Sequence, residues 1–159
     1  GTYETAVVYP GQCLFERTNL SEGRGTTKPF LLTGSSWINA VAAADDLHSR
    51  GIAGAYFRPV YFIPASPEGG SNPRGKPWNR MCGGVEIMLT DPASYRSVEA
   101  AINIFDAYRK INPDSLSWSP PPPLKMLEEP GVTIGDIMKS INESMSEFMK
   151  TREKYLLYR

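Results

Sequence analysis

Short apolar runs along the chain predict β-strands. Each run is rich in β-branched or aromatic residues and is bounded by residues that favour turns. Pro59 lies inside the fourth run and cannot donate a ladder hydrogen bond, so that run predicts an edge strand or a bulge. The five runs cover residues 5–9, 12–17, 30–33, 55–63 and 84–90.

Apolar residues at three- and four-residue spacing predict about three main helices. A Ser or Thr stands before each helix, as the N-cap residue that accepts a hydrogen bond from the first turn. The sum of these elements is an α+β domain with a mixed β-sheet, formed by residues 2–159 as a single domain. The helices cover residues 37–49 after Ser36, 98–111 after Ser97, and a long C-terminal segment after Thr133.

The long C-terminal helix has the strongest local signals. Asp136 follows Thr133 by three residues, as in a capping box. An apolar stripe runs along one side, and we interpret its methionines as core filler rather than as a cofactor site. The stripe consists of Ile134, Ile137, Met138, Ile141, Met145, Phe148, Arg152, Tyr155 and Leu156.

Composition and charge exclude several classes of protein. Hydrophobic residues make up 41% of the chain and charged residues 21%, as in ordinary globular domains. Seventeen basic residues balance seventeen acidic ones, so no net field favours nucleic acid or an anionic membrane. No run approaches the ~20 apolar residues that a transmembrane helix needs.

Cysteine and histidine usage predicts neither a metal site nor a bound cofactor. Cys13 and Cys82 are the only cysteines and His48 the only histidine, without a zinc-type spacing. A disulfide is compatible with an oxidising compartment, but two buried free thiols are the interpretation we prefer. The chain also lacks a G-x-S-x-G elbow and a phosphate-binding glycine loop, so a self-contained hydrolase is not predicted.

The stretch from residue 13 to residue 30 has the densest group of polar side chains. Gly23 and Gly25 bracket Arg24, and glycine permits the positive φ angles that other residues resist. Arginine offers a planar fork of donors that suits a carboxylate or a phosphate. This loop is therefore the candidate binding site. The alternative is a surface loop tied down by its own hydrogen bonds.

Four motifs occur in order between residues 9 and 158. The first is Tyr-Pro-Gly at 9–11, Cys-Leu-Phe-Glu at 13–16, Thr-Asn-x-Ser-x-Gly-Arg-Gly-Thr at 18–26 and Pro-Phe at 29–30. The others are Phe-Arg-Pro-Val-Tyr-Phe-x-Pro at 57–64, Cys-Gly-Gly-Val at 82–85 with Thr-Asp at 90–91, and Arg-x-x-Tyr-Leu-Leu-Tyr at 152–158. Together these motifs resemble the second half of the DUF1343 family.

The resemblance implies the activity of the family's enzymes. These are similar to exo-β-N-acetylmuramidases, which release N-acetylmuramic acid from the non-reducing ends of peptidoglycan fragments. Family members are considerably longer and begin with a Rossmann-like half, whose motifs do not occur here. The resemblance therefore implies that this chain is a C-terminal domain and that an N-terminal domain is its partner. It also implies a location in the periplasm or at the cell exterior.

The resemblance directs attention to two kinds of charged residue. Glu16 is the best catalytic candidate within this chain, with Glu22 nearby, because glycoside hydrolysis usually uses two carboxyl groups. The family's principal catalytic acid is implied to lie on the absent half, so Glu16 is expected mainly to bind substrate or to hold the loop. Arg24 is the first choice and Arg58 the second for binding the lactyl carboxylate of N-acetylmuramic acid. The alternative for Arg58 is a buried ion pair with Glu16 or Asp91.

Five uncharged residues complete the predicted substrate site. Asn19, Ser21 and Thr26 can bind sugar hydroxyls or an acetamido group, although each can equally close a turn. Gly25 allows a close backbone approach. Tyr61 can stack on a sugar ring, although core packing is the preferred interpretation. In the loop at 66–80, Lys76 and Trp78 can contribute to the rim of the site, but a solvated loop is the preferred interpretation.

Two functions follow from these observations. In the first, the chain closes one wall of a cleft in a peptidoglycan-fragment glycoside hydrolase and helps bind terminal N-acetylmuramic acid. This predicts an exposed apolar face beside the loop at 16–26, where the absent half docks. In the second, the chain is a non-catalytic carbohydrate-binding or scaffold domain with a closed polar surface. A third, weaker alternative is an adaptor that acts through the proline run at 119–123.

Overall fold

Three strands form one antiparallel sheet in a computed structural model that describes residues 1–66, 72, 74–117, 119 and 122–157. The strands are β1 (Leu32–Ser35), β2 (Ala55–Phe62) and β3 (Cys82–Leu89), in the order β1-β3-β2. The central strand β3 is buried from Cys82 to Ile87. The edge position of β2 confirms the prediction drawn from Pro59.

Four helices of ten or more residues accompany the sheet in the described part of the chain. Helix α2 packs against β2, β3 and α3, and α1 packs against α3. The α+β class and the long C-terminal helix are confirmed. The helices are α1 (Tyr3–Gln12), α2 (Ala40–Ser49), α3 (Ser97–Ile111), the short α4 (Pro122–Lys125) and α5 (Ile134–Glu153).

The described sheet differs from the predicted mixed sheet because both of its pairings are antiparallel. Strands β1 and β2 run in the same direction but do not pair, since β3 lies between them. Helix α2 carries the chain across from one outer strand to the other, and β3 then enters between them.

The two strands predicted nearest the N-terminus are wrong. Residues 5–9 lie in α1, and residues 12–17 fall mainly in a 3₁₀-helix, Cys13–Arg17. Thr2 caps α1 by accepting a hydrogen bond from the backbone of Thr5, and Val8, Gly11 and Gln12 are its buried residues. These residues recur at the three- and four-residue spacing of a helix, and their packing against α3 outweighs the strand preference of residues 5–9.

Helices α2 and α3 lie close to their predicted positions, with different N-terminal contacts. Asn39, rather than Ser36, caps α2 through its side-chain oxygen. The hydroxyl of Ser97 makes no cap. It accepts a hydrogen bond from the Gly11 backbone at 2.7 Å and donates one to the Val8 carbonyl at 2.8 Å. Ser97 therefore joins the start of α3 to α1.

The chain divides into two compact units, Gly1–Pro120 and Pro121–Arg159, and this division leaves the single-domain interpretation a prediction. In the second unit, Thr133 and Asp136 form the predicted capping box at the start of α5. Ile137 is the only buried residue of α5, while Met145 is 51% and Phe148 58% exposed. The interpretation of Met145 as core filler is therefore wrong, because helical periodicity shows which side is apolar but not what covers it.

Replacing Thr133 with Ala should lower the free energy of unfolding by about 1 kcal/mol. The substitution removes the hydroxyl that accepts from the Asp136 backbone at 3.2 Å. Urea unfolding followed by circular dichroism measures the change. Ser140→Ala, at an exposed position inside the same helix, is the matched control and should change stability by less than about 0.5 kcal/mol. Equal effects of the two variants would contradict a role for the cap.

Candidate functional site

The loop between the 3₁₀-helix and β1 is fixed to the sheet by backbone hydrogen bonds. Ser21 and Gly34 exchange two of them, at 2.7 and 3.1 Å, which adds a single bridge beside β1. The backbone N–H of Phe30 donates to the Glu22 carbonyl at 2.8 Å and closes the loop on itself. The loop is therefore a defined part of the fold, on which side chains can be held in place.

Gly23 and Gly25 both have positive φ, at +76° and +79°, so the prediction drawn from their sequence is confirmed. A Cβ atom on Gly23 would lie 2.6 Å from the Leu32 carbonyl oxygen, and one on Gly25 would lie 2.1 Å from that of Ala65. The Ala65 N–H also donates to the Gly25 carbonyl at 2.9 Å. The loop therefore needs glycine on both sides of Arg24, for its φ angles and for its close packing on the chain after β2.

Arg24 lies between two carboxylates and an aromatic ring. Its Nη1 is 3.5 Å from Oε1 of Glu16, and its Nε is 3.6 Å from Oε1 of Glu22. The guanidinium carbon is 5.2 Å from the centre of the Phe30 ring, a cation–π distance. Phe30 itself has φ of +66° and contacts Tyr9 edge to face, with ring centres 4.7 Å apart. A backbone conformation that is rare for phenylalanine is thus maintained beneath Arg24.

Lys76 enters this site from the loop before β3. Its Nζ donates to the carbonyls of Phe15 at 2.9 Å and Leu20 at 2.6 Å, and to Oε2 of Glu22 at 2.6 Å. The side chain of Lys76 is 9% exposed and that of Glu22 is 2% exposed. Burial lowers the pKa of Lys76, and the carboxylate of Glu22 opposes that shift. A buried ion pair therefore ties together segments that are far apart in sequence.

These groups line a depression of about 240 Å³, which we call the charged depression. A neighbouring depression of about 300 Å³ shares Arg24 and Trp78 with it and is otherwise lined by Gly25, Ala65 and Ser66. The two together offer cationic, anionic and aromatic groups at one surface, a combination that suits a polar ligand with an anionic substituent. The charged depression is lined by Glu16, Glu22, Arg24, Asn72, Arg74, Lys76 and Trp78.

The structure brings Glu16, Arg24 and Gly25 of the predicted site residues together at these depressions. Glu16 lies in the 3₁₀-helix rather than at the end of a strand, and its side chain is 52% exposed. Arg74 and Asn72 also line the charged depression, although neither is a predicted site residue. Nothing in a loop rich in Gly, Pro and Asn indicates which part of the chain it contacts. Lys76, expected only at a solvated rim, is instead almost fully buried.

Asn19, Ser21 and Thr26 make local hydrogen bonds, as their alternative interpretation allowed. Asn19 donates to the Ser115 carbonyl at 2.7 Å and accepts from the Ser117 backbone at 3.1 Å. The Ser21 hydroxyl accepts from the Gly23 N–H at 3.1 Å, and the Thr26 hydroxyl donates to the Gly23 carbonyl at 2.6 Å. Their role in substrate binding stays a prediction.

Arg58 and Tyr61 lie on strand β2. Arg58 pairs with Glu86, donating from Nε at 3.1 Å and also from Nη2, and Lys28 binds the same carboxylate. The alternative prediction of an ion pair for Arg58 is therefore correct in kind, but Glu16 and Asp91 are wrong as its partners. Glu86 stands directly opposite Arg58 on β3. Tyr61 is 58% exposed. A substrate role for either residue stays a prediction.

Stability should depend on pH through Glu86. Burial opposes its ionisation, but hydrogen bonds from Lys28 and Arg58 outweigh burial and hold the pKa of Glu86 below its ordinary value. Because the pKa is lower in the folded state, the stabilisation is present above the ordinary value of 4.5 and is lost as pH falls through the folded value. Glu86→Gln should therefore flatten the loss of stability between about pH 5 and pH 3.

Urea unfolding at several pH values measures this effect. Glu147→Gln is the matched control, since Glu147 forms an exposed pair with Lys150. That control should leave the pH profile close to that of the parent chain, because exposed pairs contribute little. A Glu86→Gln profile that coincides with the parent profile would contradict the prediction.

Both cysteines are free thiols, with Cys82 buried and Cys13 half-buried. Burial raises the pKa of Cys82 to about 12, so this thiol is inert at neutral pH. Across the described residues, His, Cys, Asp and Glu side chains form no group of three that could hold a metal ion. In the same residues, no helix has the length and apolar character needed to cross a membrane.

Comparison with known proteins identifies relatives over almost the whole chain. A family model described as "Exo-beta-N-acetylmuramidase NamZ, C-terminal" matches residues 7–158. The peptidoglycan beta-N-acetylmuramidase NamZ of Bacillus subtilis (strain 168) is 30% identical over 166 positions, which cover 99% of this chain and 38% of that protein. This chain therefore spans less than half of the length of that relative.

Two crystal structures of DUF1343 family proteins from Bacteroides fragilis NCTC 9343 have a similar fold. One superposes with a TM-score of 0.76 at 20% identity and covers 98% of this chain and 42% of its own chain. The other has a TM-score of 0.67 at 27% identity and covers 98% of this chain and 41% of its own chain. The likeness to the first supports the fold alone, because its sequence is distant.

Proposed function

Because the chain belongs to the family of NamZ exo-β-N-acetylmuramidase C-terminal domains, we propose that it forms one wall of the substrate cleft of a peptidoglycan-fragment glycoside hydrolase. Its part in that cleft is to bind the terminal N-acetylmuramic acid residue. The remaining length of the relatives supplies the other wall and the principal catalytic acid. We propose a location in the periplasm or outside the cell, where a peptidoglycan fragment would be met as substrate.

The position of Arg24 is the observation that carries this proposal. N-acetylmuramic acid differs from N-acetylglucosamine by a lactyl ether that bears a carboxylate. Arg24 faces the charged depression, and its two carboxylate contacts, at 3.5 and 3.6 Å, are longer than good hydrogen bonds. The guanidinium N–H groups are therefore held in place without making short hydrogen bonds to Glu16 or Glu22. A ligand carboxylate can accept hydrogen bonds from them at ordinary distances.

The exposed carboxylate of Glu16 is the second contact that the cleft requires. Glu22 is buried and bound by Lys76, whereas Glu16 is half-exposed and lines the charged depression. Of the two carboxylates that line the depression among the described residues, Glu16 is therefore the one that can accept hydrogen bonds from sugar hydroxyl groups. Glycoside hydrolysis needs a further acid at a fixed distance, which fits a catalytic partner on the other wall.

An exposed apolar group beside the loop supports a shared cleft over a domain that acts alone. Tyr61 lies near the end of β2, Ile63 follows that strand directly, and Met81 directly precedes β3. Their exposed fractions are 58%, 54% and 55%. The chain runs from Ile63 directly to Ala65, which contacts Gly25. Adjacent apolar side chains at the rim of a polar site are typical of a surface that another domain covers.

Complementation tests the proposal. The chain would be mixed with the N-terminal portion of the Bacillus subtilis relative, and release of N-acetylmuramic acid from a muramyl-terminated disaccharide would be followed. We expect activity only when both parts are present, and we expect Arg24→Ala to raise KM about tenfold or more. Glu16→Gln should also reduce kcat/KM. Arg96→Ala is the control and should not, because Arg96 is the exposed N-cap residue of α3.

Two results would contradict the proposal. If Arg24→Ala and Glu16→Gln leave the complemented enzyme unchanged, the loop is structural and the charged depression is not the sugar site. If the chain binds no muramyl sugar in any combination, it does not contribute to the cleft.

A further inference from the structure

We propose that Arg24 and Arg74 form a two-arginine clamp for a single ligand carboxylate, with Trp78 as the wall against which the attached sugar ring lies. This inference rests on the proposed function and adds to it a second anion contact, Arg74. With both arginines in place, the site binds the ionised acid more tightly than a neutral sugar of the same shape.

The charges that line the depression are unequal. Arg24, Arg74 and Lys76 face two carboxylates, those of Glu16 and Glu22, which leaves one excess positive charge among the described lining residues. The cations lie close enough that the charges of Arg24 and Arg74 both add to the lowering of the pKa of Lys76, which burial mainly causes. Like charges gathered at one surface repel each other until an anion is bound, so the depression favours an anionic ligand.

The existing carboxylates do not use the two arginines fully. Glu22 bonds Lys76 at 2.6 Å but approaches Arg24 only to 3.6 Å. Arg74 donates from Nη1 to the main-chain carbonyl of Glu16 at 3.3 Å, and within the described residues it forms no ion pair with a carboxylate. Among the described residues, Arg74 is therefore placed at the depression by a neutral contact that uses one of the five N–H donors of its guanidinium group.

The ligand must carry an apolar surface next to its negative charge. Trp78 is half-buried and lines both the charged depression and its neighbour. An indole face suits the C–H surface of a pyranose ring, while two guanidinium groups suit one carboxylate. The combination fits a sugar acid and fits neither a neutral sugar nor a simple anion as well.

Binding of matched sugars tests the clamp directly. Isothermal titration calorimetry on the 159-residue chain would compare N-acetylmuramic acid with its lactyl methylamide, which keeps the shape and removes the charge. We expect the acid to bind about tenfold or more tightly than the amide. Arg74→Gln should remove most of this preference and leave the affinity for the amide unchanged. Arg74→Lys should restore part of the preference for the acid over the amide. Arg96→Gln should leave that preference as it is in the parent chain.

The outcomes separate the clamp from the proposed function. If the acid binds and Arg74→Gln keeps the full preference, the clamp is wrong and the proposed sugar site stands. If the acid and the amide bind equally well to the parent chain, the clamp is wrong in the same way. If neither sugar binds, either to the chain alone or to the chain mixed with the N-terminal portion of the relative, both the clamp and the proposed function of this chain are overturned.

Discussion

Gly25→Ala should destabilise the protein by about 3 kcal/mol. Adopting φ of +79° costs an L-residue about 1–2 kcal/mol, and the overlap of its Cβ with a carbonyl oxygen 2.1 Å away adds a similar amount. Neither partner can yield cheaply, because both the Gly25 backbone and the Ala65 backbone are fixed by a hydrogen bond between them. Urea unfolding, followed by tryptophan fluorescence and circular dichroism, measures the loss.

Gly51 provides the matched control. It has φ of +64° but no atom within 4 Å of a built Cβ, so Gly51→Ala should cost only the conformational term, about 1 kcal/mol. The difference between the two variants isolates the clash at Ala65. Equal losses would contradict the close packing of the loop on the end of β2. The Gly25 variant should also lose the proposed binding of N-acetylmuramic acid, because the backbone next to Arg24 has to move.

Lys76→Met should destabilise the protein by about 3 kcal/mol or more. The substitution keeps an unbranched side chain of similar volume but removes the ammonium group from Glu22 and from two carbonyls. Glu22 then remains as a charge that is 2% exposed, with Arg24 at 3.6 Å as its remaining described partner. An unpaired buried carboxylate is the main source of the expected loss.

A double-mutant cycle distinguishes the ion pair from general packing. Glu22→Gln removes the charge that Lys76→Met leaves unpaired, so the double variant should be more stable than the sum of the single losses by about 2 kcal/mol. Lys125→Met, at an exposed position of α4, should change stability by less than about 0.5 kcal/mol. Additive losses in the cycle would show that the two side chains do not depend on each other.

Elements with a complete local signal could be predicted from the sequence. Strand β2, helix α3 and the capping box at Thr133 combine a suitable period with a start or stop signal. Helix α1 could not, because its run of β-branched and aromatic residues followed by Pro10 is locally strand-like. Its helical state depends on packing against α3, where Gly11 allows a close approach to Ser97 that no local pattern reveals.

The candidate site divides in the same way. The glycines around Arg24 predict a loop with positive φ angles, since few other features require a glycine on each side of an arginine. The pairing of Glu22 with Lys76 joins residues 54 positions apart, and the pairing of Arg58 with Glu86 depends on strand register. Contacts of these kinds follow from the fold, so the types of charged residue were predictable but most of their partners were not.

The link between Ser97 and α1 also has a consequence for synthesis. Gly11 and Ser97 are 86 positions apart, so the ribosome completes α1 long before α3 exists. At about 5–20 residues per second, that interval lasts roughly 4–17 seconds. During it, Val8 and its neighbours on α1 lack the surface of α3, and the nascent helix is open to chaperones or to wrong partners. Tyr9 belongs to the same helix and contacts Phe30 beneath Arg24, so we expect the charged depression to reach its final form only after translation has passed α3.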